Sequence, residues 1–358
     1  MEIGIIGLSK SGKTTVFNAL TKGKANTGTY SAGPNVGIAK VADPRLDVLD
    51  KMYHRKKKTP AEVKYTDIAV PTKGELRGEL LTQISQTEGI LHVVRAFKND
   101  NVPHVNGSID PDRDVKTMDM ELAFSDLSII EKRLKKIADT FKSAKQQERE
   151  GFAREQALLG RIKTELENEA PIREMALTEA ELKDISSYRF LSAKPMLIVF
   201  NIGEDMLPRA DALEQEWRTK YKRPFVDVAA ICGEIEMELV QLSDEEAAVF
   251  RTDMGITEAA LNRVIKLSYH LLGMISFFTV GPDEVKAWTI RNNTPAVQAA
   301  GKVHSDMERG FIRAEIINYD DLIKCGNIVE GKKQGLLRSE GKAHIVKDGE
   351  IINFCFNV

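Results

Sequence analysis

The chain has 358 residues, enough for two or three domains with cores of their own, and 51 Lys+Arg against 53 Asp+Glu leave a formal net charge of −2. That balance excludes a globally basic nucleic-acid binder and an acidic disordered chain, and 42% hydrophobic with 29% charged residues is a globular composition. The three cysteines, Cys232, Cys325 and Cys355, stand far apart without paired spacing, which argues against a disulfide framework or a zinc site and for a reducing compartment.

The N-terminus carries an acid where a signal peptide carries basic residues, and no run of about 18 consecutive apolar residues occurs. A cytoplasmic protein with no membrane partner is expected. Residues 2–7 form an apolar run ending in Gly7, and 14–20 carry apolar positions at helical spacing, which reads as strand, loop and helix. Runs 63–70, 89–94 and 196–200 read as further strands. The last two are apolar on both faces, as in a parallel sheet covered by helices on both sides. The fold class expected is α/β.

Between Met118 and Arg189 glycine and proline nearly vanish. Leu122, Leu127, Ile130, Leu134, Ile137 and Phe141 make one apolar stripe, and Leu158, Leu159, Ile162 and Leu166 make a second. Two long helices are expected to pair as an antiparallel arm inserted into the α/β pattern. From Ser276 onward, short β-rich runs at 277–280, 287–290, 314–317, 344–346 and 351–358 predict a small, mostly β domain.

The strongest chemical signal is Gly7-Leu-Ser-Lys-Ser-Gly12-Lys13-Thr14, a full G-x-x-x-x-G-K-[ST] match lying between a strand and a helix. Phosphate oxygens need several converging donors. The amides from Ser9 through Lys10, Ser11 and Gly12 to Thr15 supply them together with the helix N-terminus, Lys13 reaches the β and γ phosphates, and the Thr14 hydroxyl ligates Mg²⁺. Asp67 closes a strand at the distance of the acid that holds Mg²⁺ through water, although a lone Asp there also serves as a cap or turn residue. Asn201-Ile202-Gly203-Glu204 follows the strand 196–200, where guanine-specific enzymes carry N-K-x-D. Glu204 replaces the Asp that reads the guanine edge, and Ile202 replaces the Lys whose stem packs on the base, so guanine specificity is weakened.

The chain resembles the YchF/Obg-like ATPase family over nearly its whole length. The likeness rests on the phosphate loop with 17–22, Pro34-Asn35-Val36-Gly37, the stretch from Asp43 to Asp47, Asp67-Ile68-Ala69, His104 with Gly107 and Asp110-Pro111, the N-x-x-E loop and 234–239. Near the end, 287–291, 299–301, 310–315 and Asp348-Gly349 are similar to that family's β-grasp TGS domain. The resemblance implies a P-loop nucleotide-binding domain in 1–118 plus 191–275, a coiled-coil arm in 119–190 and a TGS domain in 276–358. It also implies a preference for ATP over GTP, contact with the ribosome or ribosomal RNA without DNA sequence specificity, and a histidine from a mobile loop in place of a water-orienting glutamine. His104 stands at that position; without the family, a lone loop histidine reads as a surface residue.

Departures from the family pattern bear on turnover. Ser9-Lys10-Ser11 stands where the family has Pro-Asn-Val, whose Asn helps hold a potassium ion, so potassium is not expected to be required; Lys10 either takes the ion's place or faces solvent. Ser31 replaces the Thr that completes the Mg²⁺ shell. Val70-Pro71 replaces a Gly-Leu pair and removes a backbone donor near the γ-phosphate. Binding is expected to survive and hydrolysis to be slow. The alternative is a nucleotide-binding scaffold with negligible turnover that docks RNA or protein; a metabolite kinase is disfavoured because no second substrate motif occurs. The basic run from His54 to Lys58 reads as a solvated loop or an RNA contact, and Trp288 and Phe311 as core residues or base-stacking groups.

Overall fold

The structure, a computed structural model, describes residues 1–23, 25, 34–68, 78–141, 143, 145–254 and 259–357. Two compact units divide it: Met1–Ile38 with Lys64–Val264, and Ala39–Val63 with Ile265–Val358. In chain order the elements begin with β1 (Glu2–Ile6), α1 (Lys13–Thr21), β2 (Asn35–Lys40), α2 (Pro44–Tyr53), β3 (Lys57–Thr59) and β4 (Glu62–Asp67). Next come α3 (Glu79–Gln86), β5 (Gly89–Ala96), α4 (Pro111–Phe141), α5 (Gln146–Glu167), α6 (Glu179–Ile185), β6 (Met196–Ile202) and α7 (Ala210–Lys220). After these follow β7 (Val226–Ile231), α8 (Gly233–Leu239), α9 (Asp244–Asp253), α10 (Ala260–Leu271), β8 (Met274–Val280) and β9 (Glu284–Arg291). The chain ends with α11 (Ala296–Val303), α12 (Ser305–Arg309), β10 (Phe311–Asn318), α13 (Tyr319–Cys325), α14 (Ile328–Lys333), β11 (Arg338–Glu340) and β12 (Glu350–Phe356).

The first sheet has the order β2-β4-β1-β5-β6-β7, with β4, β1, β5, β6 and β7 parallel. Central strands β5 and β6 are buried along almost their whole length, as their two-faced apolar sequences require. Order reverses at β1, whose neighbours β4 and β5 both come later in the chain. In open parallel sheets, ligands bind beyond the carboxyl ends of strands at such a switch point. The loop after β1 and Asp67 at the end of β4 both lie there.

Helices α4 and α5 are joined by four residues and therefore run antiparallel. Ile130, Ile137, Leu159, Ile162 and Leu166 form one buried cluster between them, which is the packing the two apolar stripes demand. Arg133 grips Glu155 through two bonds of 2.7 Å, and Lys163 meets Glu131 at 3.0 Å. At the base of the pair, Asp126 accepts the backbone N–H groups of Leu191 at 2.8 Å and Ser192 at 2.7 Å. Burial pushes that carboxyl up to about 6 despite the hydrogen bonds. Lys194, two residues on, donates to the carbonyls of Ser85 and Thr87 at the C-terminal end of α3, where a cation is favourable.

The second unit holds a sheet of order β11-β10-β12-β8-β9-β3. β8 and β9 pair antiparallel, as do β10 and β12, while β12 runs parallel to β8. Its core gathers Phe277, Ile290, Ala299, Phe311, Ala314, Ile316, Ile352 and Phe354. The strand expected at 344–346 is a single bridge from Ile345 to Pro295; three residues beside two glycines and an adjoining turn are too few to build a ladder. No helix among the described residues is long and apolar enough to cross a membrane.

Candidate functional site

The phosphate loop begins where β1 ends. Two glycines fix its shape. At Gly7 φ is 154° and a Cβ would sit 2.3 Å from the Val93 carbonyl; at Gly12 φ is 88° and a Cβ would sit 2.2 Å from Asn201 Nδ2. Ser11 N–H donates to Leu8 O at 3.2 Å to close the loop, and Val16 N–H to Gly12 O at 2.9 Å opens the helix. Gly12 is the N-cap and gives no side-chain cap, so the first-turn amides of α1 remain for an anion. Lys13 Nζ reaches Leu8 O at 3.4 Å. Burial pushes its ammonium below the ordinary lysine value, with Asp67 pulling the other way.

Thr14 Oγ1 donates to Asp67 Oδ2 at 2.9 Å, and Asn35 Nδ2 approaches the same oxygen at 3.4 Å. Asp67 is 4% exposed, and its Oδ1 is buried without a hydrogen-bond partner among the described residues. A hydroxyl and a carboxylate brought together, with one carboxylate oxygen orphaned, fit a Mg²⁺ ion, which takes few protein ligands and fills its shell with water and phosphate oxygens. Ser31, Val70 and Pro71 lie outside the described residues.

Asn201, 5% exposed, ties the loop down from the other side. Its Nδ2 donates to Ser11 O at 3.1 Å and its Oδ1 accepts from Gly233 N–H at 3.0 Å, so the end of β6 and the start of α8 brace the phosphate loop. Ile202 is buried at the end of β6. Its side chain is 1% exposed and packs with Cys232, Ile235 and Leu239. Glu204 is exposed at the start of a helical turn spanning Glu204–Arg209. Lys10 is exposed with φ 64°, and its Nζ points to Pro103 O at 3.4 Å; its ammonium meets the loop that carries His104.

His104 is buried. Its Nε2 lies 2.9 Å from Asp114 Oδ2 in the first turns of α4, and its Nδ1 accepts the Asn106 N–H at 3.1 Å. Arg95 holds the preceding segment: its guanidinium donates to Phe97 O at 3.2 Å and to Val102 O at 2.8 Å and lies 4.5 Å from the Phe97 ring centroid. Neither Asp114 nor Arg95 is among the residues picked out by sequence. An arginine inside the apolar run of β5 is the signal that could have found Arg95; Asp114 sits among other acids with nothing to single it out.

The basic run is largely neutralised within its own unit: Lys56 pairs Asp283 at 3.0 Å, Lys57 pairs Glu284 at 3.1 Å and Lys58 pairs Asp47 at 2.8 Å. Phe311 is a core residue at 5% exposure. Trp288 is half-buried, donates Nε1–H to Thr279 Oγ1 at 2.9 Å and carries Lys286 Nζ 3.7 Å from a ring centroid.

A parallel sheet with a glycine-shaped phosphate loop at its switch point, a lysine in the loop, and a threonine facing a strand-end aspartate define a P-loop NTPase. Residues 274–357 match the family YchF-GTPase_C, described as a protein of unknown function (DUF933). The ribosome-binding ATPase YchF of Bacillus subtilis is 39% identical over the whole of both chains, and that of Escherichia coli O157:H7 is 39% identical over 100% of this chain and 99% of its own. The Schizosaccharomyces pombe YchF GTPase superposes with a TM-score of 0.88 at 29% identity, covering 99% of this chain and 97% of its own. The chain belongs to the YchF family.

Proposed function

We propose that this protein binds ATP at least as well as GTP, hydrolyses it slowly in the cytoplasm and uses the nucleotide state as a switch on the ribosome. The observation that carries the reading is the Thr14–Asp67 pair at the start of the helix that follows the phosphate loop, whose N-terminus has no side-chain cap. In this reading the stretch from Ser9 to Thr15 cradles the phosphates, and Thr14, Ser31 and Asp67 hold Mg²⁺. Bound there, the ion neutralises phosphate charge. Asn201 keeps the loop in shape, and Glu204 stands near the base with a side chain one methylene longer than the aspartate of guanine-specific sites. The relatives' names as ribosome-binding ATPases support the nucleotide and the partner.

Hydrolysis needs a group that orients water against the γ-phosphate, and we assign His104 that role. Its buried position, with both ring nitrogens occupied, also favours a second reading, in which the protein is a nucleotide-dependent scaffold that docks RNA or protein with negligible turnover. Single-turnover hydrolysis measured beside affinity separates the two. His104→Ala is expected to lower hydrolysis at least about tenfold while ATP affinity stays within about threefold, since a positioned base contributes about a hundred- to ten-thousand-fold and the phosphate cradle is untouched. Titration of labelled ATP and GTP, and capture of ribosomal RNA from lysate with a non-hydrolysable ATP analogue, test the rest. A tenfold preference for GTP, or no ribosomal RNA retained, overturns it.

A further inference from the structure

The hydrogen bonds of His104 determine its tautomer. A backbone N–H donates only to an unprotonated nitrogen, so Nδ1, which accepts from Asn106, carries no proton, and the single ring proton of the neutral imidazole sits on Nε2 facing Asp114 Oδ2. In this arrangement the imidazole has no free lone pair with which to accept a proton from water. Asp114 is equally engaged: its Oδ1 accepts Arg113 Nε at 3.0 Å and Nη2 at 2.9 Å, and Arg113 in turn holds the Ser108 carbonyl at 2.8 Å. Side chains of both His104 and Asp114 are 3% exposed, which shields their bond from water and strengthens it. The turn between them is closed by Gly107 N–H to His104 O at 3.0 Å, with Gly107 at φ 79° and open space where a Cβ would be.

We propose that Asp114 is a positioning residue that holds His104 withdrawn, so that hydrolysis proceeds only when the first turns of α4 release the imidazole. The proposal rests on the reading of His104 as the water-orienting group. Asp114 lies on the same 31-residue helix that pairs with α5 in the arm. A displacement of that helix therefore acts on the imidazole through one charge-assisted bond rather than through the phosphate loop. Lys10, which reaches Pro103 O, and Arg95, which reaches Val102 O, grip the loop on the other side of His104 and remain as its tether when the bond to Asp114 opens.

Asp114→Asn, which keeps the volume, and Asp114→Ala, which removes the acceptor, test this on the full chain in single-turnover hydrolysis. Loss of one charge-assisted hydrogen bond shifts a two-state population by about tenfold or more. Asp114→Ala is expected to raise the hydrolysis rate about tenfold at unchanged ATP affinity, and Asp114→Asn by less. The rise should vanish in a His104→Ala background. Carbethoxylation by diethyl pyrocarbonate, read peptide by peptide, gives a second measure independent of turnover: His104 of the unaltered protein should label far more slowly than the exposed His304, and in the Asp114 variants as fast. Equal labelling of His104 and His304 in the unaltered protein overturns the proposal, even where a variant fails to fold. A fall in rate to the His104→Ala level overturns it too, and makes Asp114 a helper of catalysis; an unchanged rate, or a rise that persists without His104, does the same. If His104→Ala alone leaves hydrolysis unchanged, the assignment of His104 itself fails, whatever the Asp114 variants do.

Discussion

Thr14 Oγ1 donates a hydrogen bond to Asp67 Oδ2 across 2.9 Å, joining the helix after the phosphate loop to the end of β4. In the proposed reading the Thr14 oxygen would be a ligand of Mg²⁺, and the Asp67 carboxylate, whose Oδ1 is buried without a partner among the described residues, would hold the ion's waters. Asp67→Ala is expected to weaken ATP binding about ten- to hundredfold in Mg²⁺, the usual cost of losing an outer-shell partner, and to leave binding in EDTA unchanged. Isothermal titration in the two buffers checks it. Equal loss in both would mean that Asp67 supports the loop and not the metal.

Asn201 carries a different load. It spans Ser11 O and Gly233 N–H from a site 5% exposed, and both of its partners are backbone groups. Asn201→Ala strips the Gly233 amide and the Ser11 carbonyl of a buried partner, a cost of about 1–3 kcal/mol for each group left unsatisfied. The expected outcome is a lower unfolding free energy together with weaker binding of ATP and GTP alike. A change confined to one nucleotide, seen by titrating both, would place Asn201 at the base instead.

The parts of the site that lie within one stretch of chain were readable from sequence, and the parts assembled by tertiary contact were not. Gly7, Gly12, Lys13 and Thr14 share a single turn whose chemistry is local, and the two-faced runs of β5 and β6 predict a central parallel sheet. By contrast, the bond between His104 and Asp114 joins a loop to a helix, and its partners are ordinary polar residues in a polar stretch. Ile202 shows another limit. Motif alignment puts it at the position of a lysine whose stem packs on the base, while its side chain is buried with Cys232, Ile235 and Leu239, a contact made with α8 and not readable from the motif.

Lys10 sits at the left-handed φ of 64°, a conformation that costs a lysine more than the asparagine expected there by family resemblance. Its ammonium lies on Pro103 O at 3.4 Å. A cation carried on the phosphate loop repels a second one, so turnover should be similar in sodium and potassium buffers, and Lys10→Asn should bring in a preference for potassium. Initial rates in matched chloride salts decide the matter. Strong potassium stimulation of the unaltered protein would show that the ammonium does not exclude the ion.

His92 predicts how stability responds to acid. It lies on β5 opposite Ile6 and Ile198, and neither ring nitrogen has a hydrogen-bond partner among the described residues. Burial pushes it down to about 4, with Arg173, Lys13 and Arg223 adding to the shift and Asp119 opposing it. The unfolded chain therefore binds a proton between pH 6.5 and 4 that the folded chain refuses, so this residue's contribution to stability is whole above pH 6.5 and falls as pH drops toward 4. The shift corresponds to about 3 kcal/mol. Asp126 and Glu236, pushed up to about 6 and about 7 by burial, act in the opposite sense. The measurement is consequently the difference between the unaltered protein and His92→Leu in urea unfolding at each pH. An apolar side chain in place of a buried group without partners costs little or stabilises, so the two proteins should be close at pH 7.5. The variant should gain by about 3 kcal/mol relative to the parent on approach to pH 4. A difference that stays flat across that range would mean that His92 is protonated in the folded state, which an imidazole enclosed in the central sheet does not permit without a partner.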